Sequence, residues 1–253
     1  MQWIIIPLSE PKFVAWSMEN VRRQACSFNV VVVENGNGVG AWEDKHGVVL
    51  RSEPGKNAAM NEALRALRLI DPGGVWRAFD QDDWYGRYAA AKTFQVLQTA
   101  DVACSLQRWV YGENGHLYHF NPGHDDSIAT PAHVGKVWGG SVGARIDVDH
   151  PWESKPPADS QGWVRQAIED GRYVQTYVAD ECWRRWVESD HHVWRGDDEC
   201  VHLRMMGLGG LDYGAMSFDE ATVVIRKPYT GSPKPIHVSG QEALALADTL
   251  IPR

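Results

Sequence analysis

The sequence predicts an α/β layer fold with a mostly parallel sheet, and three observations carry that expectation. Apolar runs recur at Trp3–Ile6 and Val30–Val33, with the length and evenness of strands buried on both faces, and Val75–Phe79 has the length of a further strand. Segments with helical spacing separate them. Clusters rich in glycine, asparagine and proline mark the joins. Such alternation gives right-handed crossovers and a sheet whose ligands gather at the carboxyl ends of its strands.

Taken in order, Trp3–Ile6 is a strand that Pro7 is expected to close. Lys12 to Cys26 reads as a helix with Phe13, Trp16, Val21 and Ala25 roughly on one side. Val30–Val33 is a second strand, broken by the turn-forming Glu34-Asn35-Gly36-Asn37-Gly38. Gly47–Leu50 is a short third strand. Gly55 to Ile70 is a helix, with Ala59, Ala63, Ala66 and Ile70 at i, i+4, i+7 and i+11. Asp71-Pro72-Gly73-Gly74 stops it. Val75–Phe79 then runs directly into Asp80-Gln81-Asp82-Asp83.

The second half is less regular. Arg87–Thr99 reads as a helix, and Val102–Val110 with Leu117–Phe120 as a hairpin around Gly112-Glu113-Asn114-Gly115. Asp159–Asp170 is a helix, Tyr173–Val178 a strand, and Asp180 to about Glu188 a helix rich in Trp and Arg. Val201–Met205 and Ala221–Arg226 are further strand candidates. Ser239-Gly240-Gln241-Glu242 is a capping box opening a last helix to Leu250. With neither repeat nor clear linker, residues 1–253 are expected to form one domain, divided functionally near residue 100.

Composition narrows the function. A net charge of −8 argues against a basic groove that holds nucleic acid through counterion release. No apolar run approaches the ~20 residues of a membrane span, and Met1-Gln2-Trp3 does not open a signal peptide, so a soluble cytoplasmic protein is expected. Cys26, Cys104, Cys182 and Cys200 form no CxxC pair and read as reduced structural thiols. The 12 tryptophans suit either stacking on sugars and bases or a Trp-rich core.

The acidic cluster is the strongest chemical feature. Alternate residues of an extended tail project the same way, so Asp80 and Asp82 can face one point. Two carboxylates there suit Mn²⁺ or Mg²⁺ shared with substrate phosphates, which implies a diphosphate ligand. The plainer alternative is a solvated acidic turn capping the next helix.

Four segments occur together in a telling order: Ile4-Ile5-Ile6-Pro7, Val31-Val32-Val33-Glu34-Asn35-Gly36, Gly55-Lys56-Asn57-Ala58-Ala59-Met60-Asn61 and Phe79-Asp80-Gln81-Asp82-Asp83. They resemble the nucleotide-binding half of family 2 glycosyltransferases with the GT-A fold. The resemblance covers roughly the first 100 residues. It implies a Rossmann-like donor half, residues 1–100, and a mixed α/β acceptor-side half, residues 101–253. It further implies that Glu34 meets the base or ribose, that Pro7 and Ser9 line the nucleotide pocket, and that Asn61 lies near it. Asp80 would contact ribose or the metal-bound water, Asp82 would ligate the metal, and Asp83 would orient the donor sugar or groups behind it.

The same resemblance extends loosely into the second half. Asp180-Glu181 looks like the family's acidic base motif in reversed order, so either could take the acceptor proton, with position favouring Glu181. Val201-His202-Leu203-Arg204 is similar to a late segment in which His202 would add a metal ligand and Arg204 would meet the diphosphate. Trp138, Gly139 and Gly140 occupy the place of a Gly-rich acceptor-side loop, with Trp183 as a stacking partner, although core packing competes for the tryptophans.

The implied activity is metal-dependent sugar transfer from a nucleotide-diphosphate sugar to an acceptor hydroxyl, with inversion. Alternatives are a sugar-phosphate nucleotidyltransferase and a non-catalytic binding module of the same fold. A saccharide, a protein or a modified DNA base remain open as acceptor.

Overall fold

The computed structural model describes residues 1–42, 47–105, 108–111, 116–120, 127–131, 134, 137, 139–153, 159–177, 203–205 and 234–235. Its first strand, β1 (Gln2–Leu8), turns Ile4, Ile6 and Leu8 to one face and Trp3 and Ile5 to the other, and all five are buried. A strand apolar on both faces needs cover on both. One cover comes from α1 (Val14–Arg22) and α3 (Ala89–Val96), through Trp16, Ala90 and Phe94. The other comes from α2 (Lys56–Ile70) and α4 (Asp159–Glu169), through Met60, Leu64, Leu67 and Trp163.

The main sheet has the order β3 (Val48–Arg51), β2 (Asn29–Glu34), β1, β4 (Val75–Ala78), β10 (Gly143–Arg145), β6 (Val102–Cys104), β11 (Val174–Thr176), β9 (Ser127–Ile128). Among the described residues all but β10 and β9 point the same way, so the mostly parallel sheet is as expected. A second sheet has the order β13 (Lys234–Pro235), β8 (His116–Phe120), β7 (Arg108–Tyr111), β12 (Leu203–Met205), β5 (Asp83–Trp84). Its strand β5 starts at the end of the acidic cluster.

Pro7 does not close the first strand. β1 continues through it to Leu8, in register with Val33 and Glu34 of β2. The Ile5 carbonyl accepts from Phe79 on the β4 side, and the Leu8 carbonyl accepts from Asn35 on the β2 side. By strand alternation the Pro7 nitrogen faces the β4 side, beyond Ala78, the last residue paired there. Its missing N–H therefore costs no ladder bond.

Two helices also differ from their sequence patterns. The helix expected over Lys12 to Cys26 is a 3₁₀ turn (Pro11–Phe13) followed by α1, which ends at Arg22. Beyond it Ala25 donates to the Arg87 carbonyl and Gln24 to Gly86, so these residues serve the tertiary fold instead of the helix. In α2 the buried face is Ala59, Met60, Ala63, Leu64 and Leu67, while Ile70 is half exposed. The larger side chains turn the helix away from the Ala66–Ile70 line.

The single hairpin arm expected over Val102–Val110 is two strands. β6 joins the main sheet, and β7 pairs with β8 in the second. The helix expected from Asp180, the strand over Ala221–Arg226 and the helix from Ser239 lie outside the described residues. Every tryptophan whose side chain is described is buried. Trp76, Trp152 and Trp163 pack together with ring centroids 5.5–6.2 Å apart, so these three are core. Gly143 lies opposite Arg77 between β4 and β10, where a Cβ would come within 2.6 Å of Thr93 and 2.7 Å of the Trp76 carbonyl oxygen. Among the described residues no helix is long and apolar enough to cross a membrane.

Candidate functional site at the strand tips

The chain runs from β1 outward through β2 to β3, then returns to place β4 on the other side of β1. At such a reversal the loops leaving neighbouring strands diverge and open a crevice. A cavity of about 420 Å³ lies there. Its walls are the tail of β1 (Pro7, Ser9, Glu10), the tail of β2 (Asn35, Gly36, Asn37), the entry to α2 (Pro54, Gly55, Lys56) and the tail of β4 (Asp80, Gln81, Asp82).

Gln81 holds two of these walls together. Its Oε1 accepts from the backbone N–H groups of Ser9 and Glu10 at 2.8 and 3.2 Å, and its Nε2 donates to Ser9 Oγ at 2.7 Å. The Gln81 carbonyl accepts from Ser17 of α1. Asn35 does similar work on the opposite wall, where its Oδ1 accepts from the Gly55 N–H. Gly55 has φ 114°, a left-handed region that favours glycine, and it starts α2 against the cavity.

The acidic residues divide into two groups. Asp80 and Asp82 line the cavity. Asp80 Oδ1 lies 2.6 Å from Lys56 Nζ, and its backbone N–H donates to the Tyr85 hydroxyl. Asp83 is fully buried away from the cavity, and its carbonyl accepts from Trp16 Nε1 and Asn20 Nδ2. Tyr85 stacks on Phe79 with centroids 3.9 Å apart. Burial first, then the charges of Asp80 and Asp83, push its phenol well above the ordinary tyrosine range.

Two residues expected near the nucleotide serve the scaffold. Glu34 accepts from the Gly40 N–H at 2.6 Å and the Trp42 N–H at 2.8 Å, fastening its own loop, with Arg51 4.0 Å away. It does not line the cavity. Asn61 exchanges hydrogen bonds with both backbone groups of Trp152, at 2.7 and 3.1 Å, and pins that segment to α2. Of the residues expected on an acceptor side, Gly139 and Gly140 lie in a 3₁₀ turn (Gly139–Ser141) whose Gly140 carbonyl accepts from Arg77. Arg204 stands opposite Asp83 in the β12–β5 ladder. Trp138, Asp180, Glu181, Trp183 and His202 lie outside the described residues.

The donor set suits a hard divalent cation. Asp80 and Asp82 offer oxygen ligands in the cavity wall, and among the described residues no group of three or more His, Cys, Asp and Glu is placed to hold a metal ion. One or two carboxylates completed by phosphate oxygens and water is the usual coordination of Mg²⁺. Asp82 and Asp80 would hold it.

Two crystal structures of S. aureus TarS superpose on this chain with TM-scores of 0.51 and 0.53, at 14% and 13% identity. Each alignment covers 81% of this chain. The fold is of the GT-A type. The chain spans 60% of one TarS structure and 36% of the other. A protein of Desulfovibrio desulfuricans G20 assigned as a nucleotide-diphospho-sugar transferase aligns over 99% of this chain and 96% of its own, at TM-score 0.46 and 13% identity. No protein-family model and no curated relative matches the sequence.

Proposed function

We propose that this GT-A chain transfers a sugar from a nucleotide-diphosphate sugar to an acceptor hydroxyl. The observation that carries this reading is the cavity at the β1–β4 reversal, with Asp80, Asp82 and Lys56 in its wall. Pro7, Ser9, Asn35 and Gly36 would flank the nucleoside, and the charged wall would face the diphosphate. A Mn²⁺ or Mg²⁺ bound there would offset negative charge on the departing diphosphate. Asp82 is the principal ligand in this reading and Asp80 the secondary one, with His202 the candidate third. Glu181, or Asp180 beside it, removes the acceptor proton as the acceptor oxygen bonds to the anomeric carbon and the bond to the diphosphate breaks. Direct displacement of this kind inverts the anomeric centre.

The test is a screen of nucleoside diphosphates and their sugars by thermal shift with Mn²⁺, since a ligand of the native state raises its melting temperature. At least one donor should stabilise the wild-type protein, and Asp82→Ala should abolish the Mn²⁺-dependent part of that shift. A wild-type protein that responds to no nucleotide, or an Asp82→Ala variant that responds equally, overturns the reading.

A further inference from the structure

Lys56 opens α2 at the cavity wall, and its Nζ reaches across to Asp80 on the tail of β4. The contact is short, 2.6 Å, and partly withdrawn from water: the Lys56 side chain is 22% exposed and that of Asp80 9%. An ammonium seated on a carboxylate repels a second cation approaching the same oxygens. A diphosphate entering the cavity offers that ammonium several phosphate oxygens as charge-assisted acceptors in place of the carboxylate. The lysine stem is flexible enough to turn from one partner to the other.

We propose that Lys56 is an exchangeable counter-ion of the donor site. With no donor bound it neutralises Asp80 and holds down the affinity for a free divalent cation. When a nucleoside diphosphate enters with its cation, the ammonium transfers to the phosphate oxygens and releases Asp80 to the metal. The site then fills with nucleotide and cation together. This rests on the proposed donor reading of the same cavity.

Calorimetry on the whole chain separates the two effects, because they have opposite signs. The probes are Mn²⁺ alone, and then UDP, GDP, CDP, ADP and dTDP in saturating Mn²⁺. Lys56→Gln should bind Mn²⁺ alone about threefold or more tightly than wild type, as the competing charge is gone. It should bind the preferred nucleoside diphosphate about tenfold more weakly, as a charge-assisted contact is lost. Lys56→Arg should recover most of the nucleotide affinity. Loss of a merely structural contact would weaken both ligands or neither. Should the Gln variant lose its native circular dichroism, Lys56→Met takes its place. Unchanged or weaker Mn²⁺ binding by the charge-free variant overturns the proposal, and so does unchanged nucleotide binding. If wild type binds none of the five nucleotides, the donor reading fails, and this inference with it. If wild type binds one and the variant matches wild type, the inference alone fails.

Discussion

Arg77 Nη1 donates to the Tyr177 hydroxyl at 2.8 Å, joining strand tips 100 residues apart in the chain. The guanidinium is fully buried, and it also donates to the Ala89 and Gly140 carbonyls and to Thr93 Oγ1. It lies 5.3 Å and 5.5 Å from the ring centroids of Phe79 and Tyr85. Arg77 therefore gathers β4, α3, the Gly139–Ser141 turn and the end of β11 around one cation.

Replacing Arg77 with Met takes the guanidinium from four buried acceptors, of which the Ala89 carbonyl and the Tyr177 hydroxyl still have Thr93 Oγ1 within hydrogen-bond reach. The expected loss is about 2–4 kcal/mol, read from urea unfolding. Lys supplies the charge but not the planar fork, so Arg77→Lys should recover only part of it. A variant as stable as wild type would show that the guanidinium does not hold these elements together.

Gln81→Ala removes three hydrogen bonds between the tails of β1 and β4. The expected cost is about 1–3 kcal/mol of stability. Ser9 should also become mobile, visible as a loss of amide protection at Ser9 and Glu10 in hydrogen exchange. Gln81→Glu should restore much of it, because a carboxylate oxygen still accepts from the Ser9 and Glu10 amides and only the N–H donated to Ser9 Oγ is lost.

Glu34→Ala leaves the Gly40 and Trp42 amides without their acceptor and should cost about 1–3 kcal/mol. Its signature is local: faster hydrogen exchange at Gly40 and Trp42, with the protection of β1 unchanged. If the Glu34 carboxylate instead bound the base directly, nucleotide affinity would fall more than stability.

Tyr85 gives a pH prediction. Its folded pKa lies above the unfolded value, so its contribution to stability is complete below about pH 10. As pH rises beyond that, the unfolded chain ionises first and stability is lost toward the folded pKa. Tyr85→Phe should flatten this alkaline decline in melting temperature. An equally steep decline in the variant would assign it to other groups.

The strands that carry the site were legible because β1 and β2 carry continuous apolar runs and β4 is apolar but for Arg77, and the point where the last turns acidic marks its tip. Pro7 misled because proline reads as a terminator until the neighbouring strand is known to have stopped. Gln81 gave no pattern, since its partner Ser9 is 72 residues away and only the fold brings the two together. Arg77 did leave a signal: a single charge inside Val75–Ala78 must be satisfied in the core or break the strand. The bond between Lys56 and Asp80 needed the approach of α2 to β4, which neither segment shows alone.

β1 outlasts its neighbour β4, pairing with it no further than Ile5 while continuing beside β2 to Leu8. The step leaves a notch whose depth is set by unequal strand lengths and whose lining is set by loops outside the ladder. Substitutions at lining positions outside the ladder, such as Glu10 and Asn37, can thus recut the notch for a different occupant while every rung of the sheet stays in place.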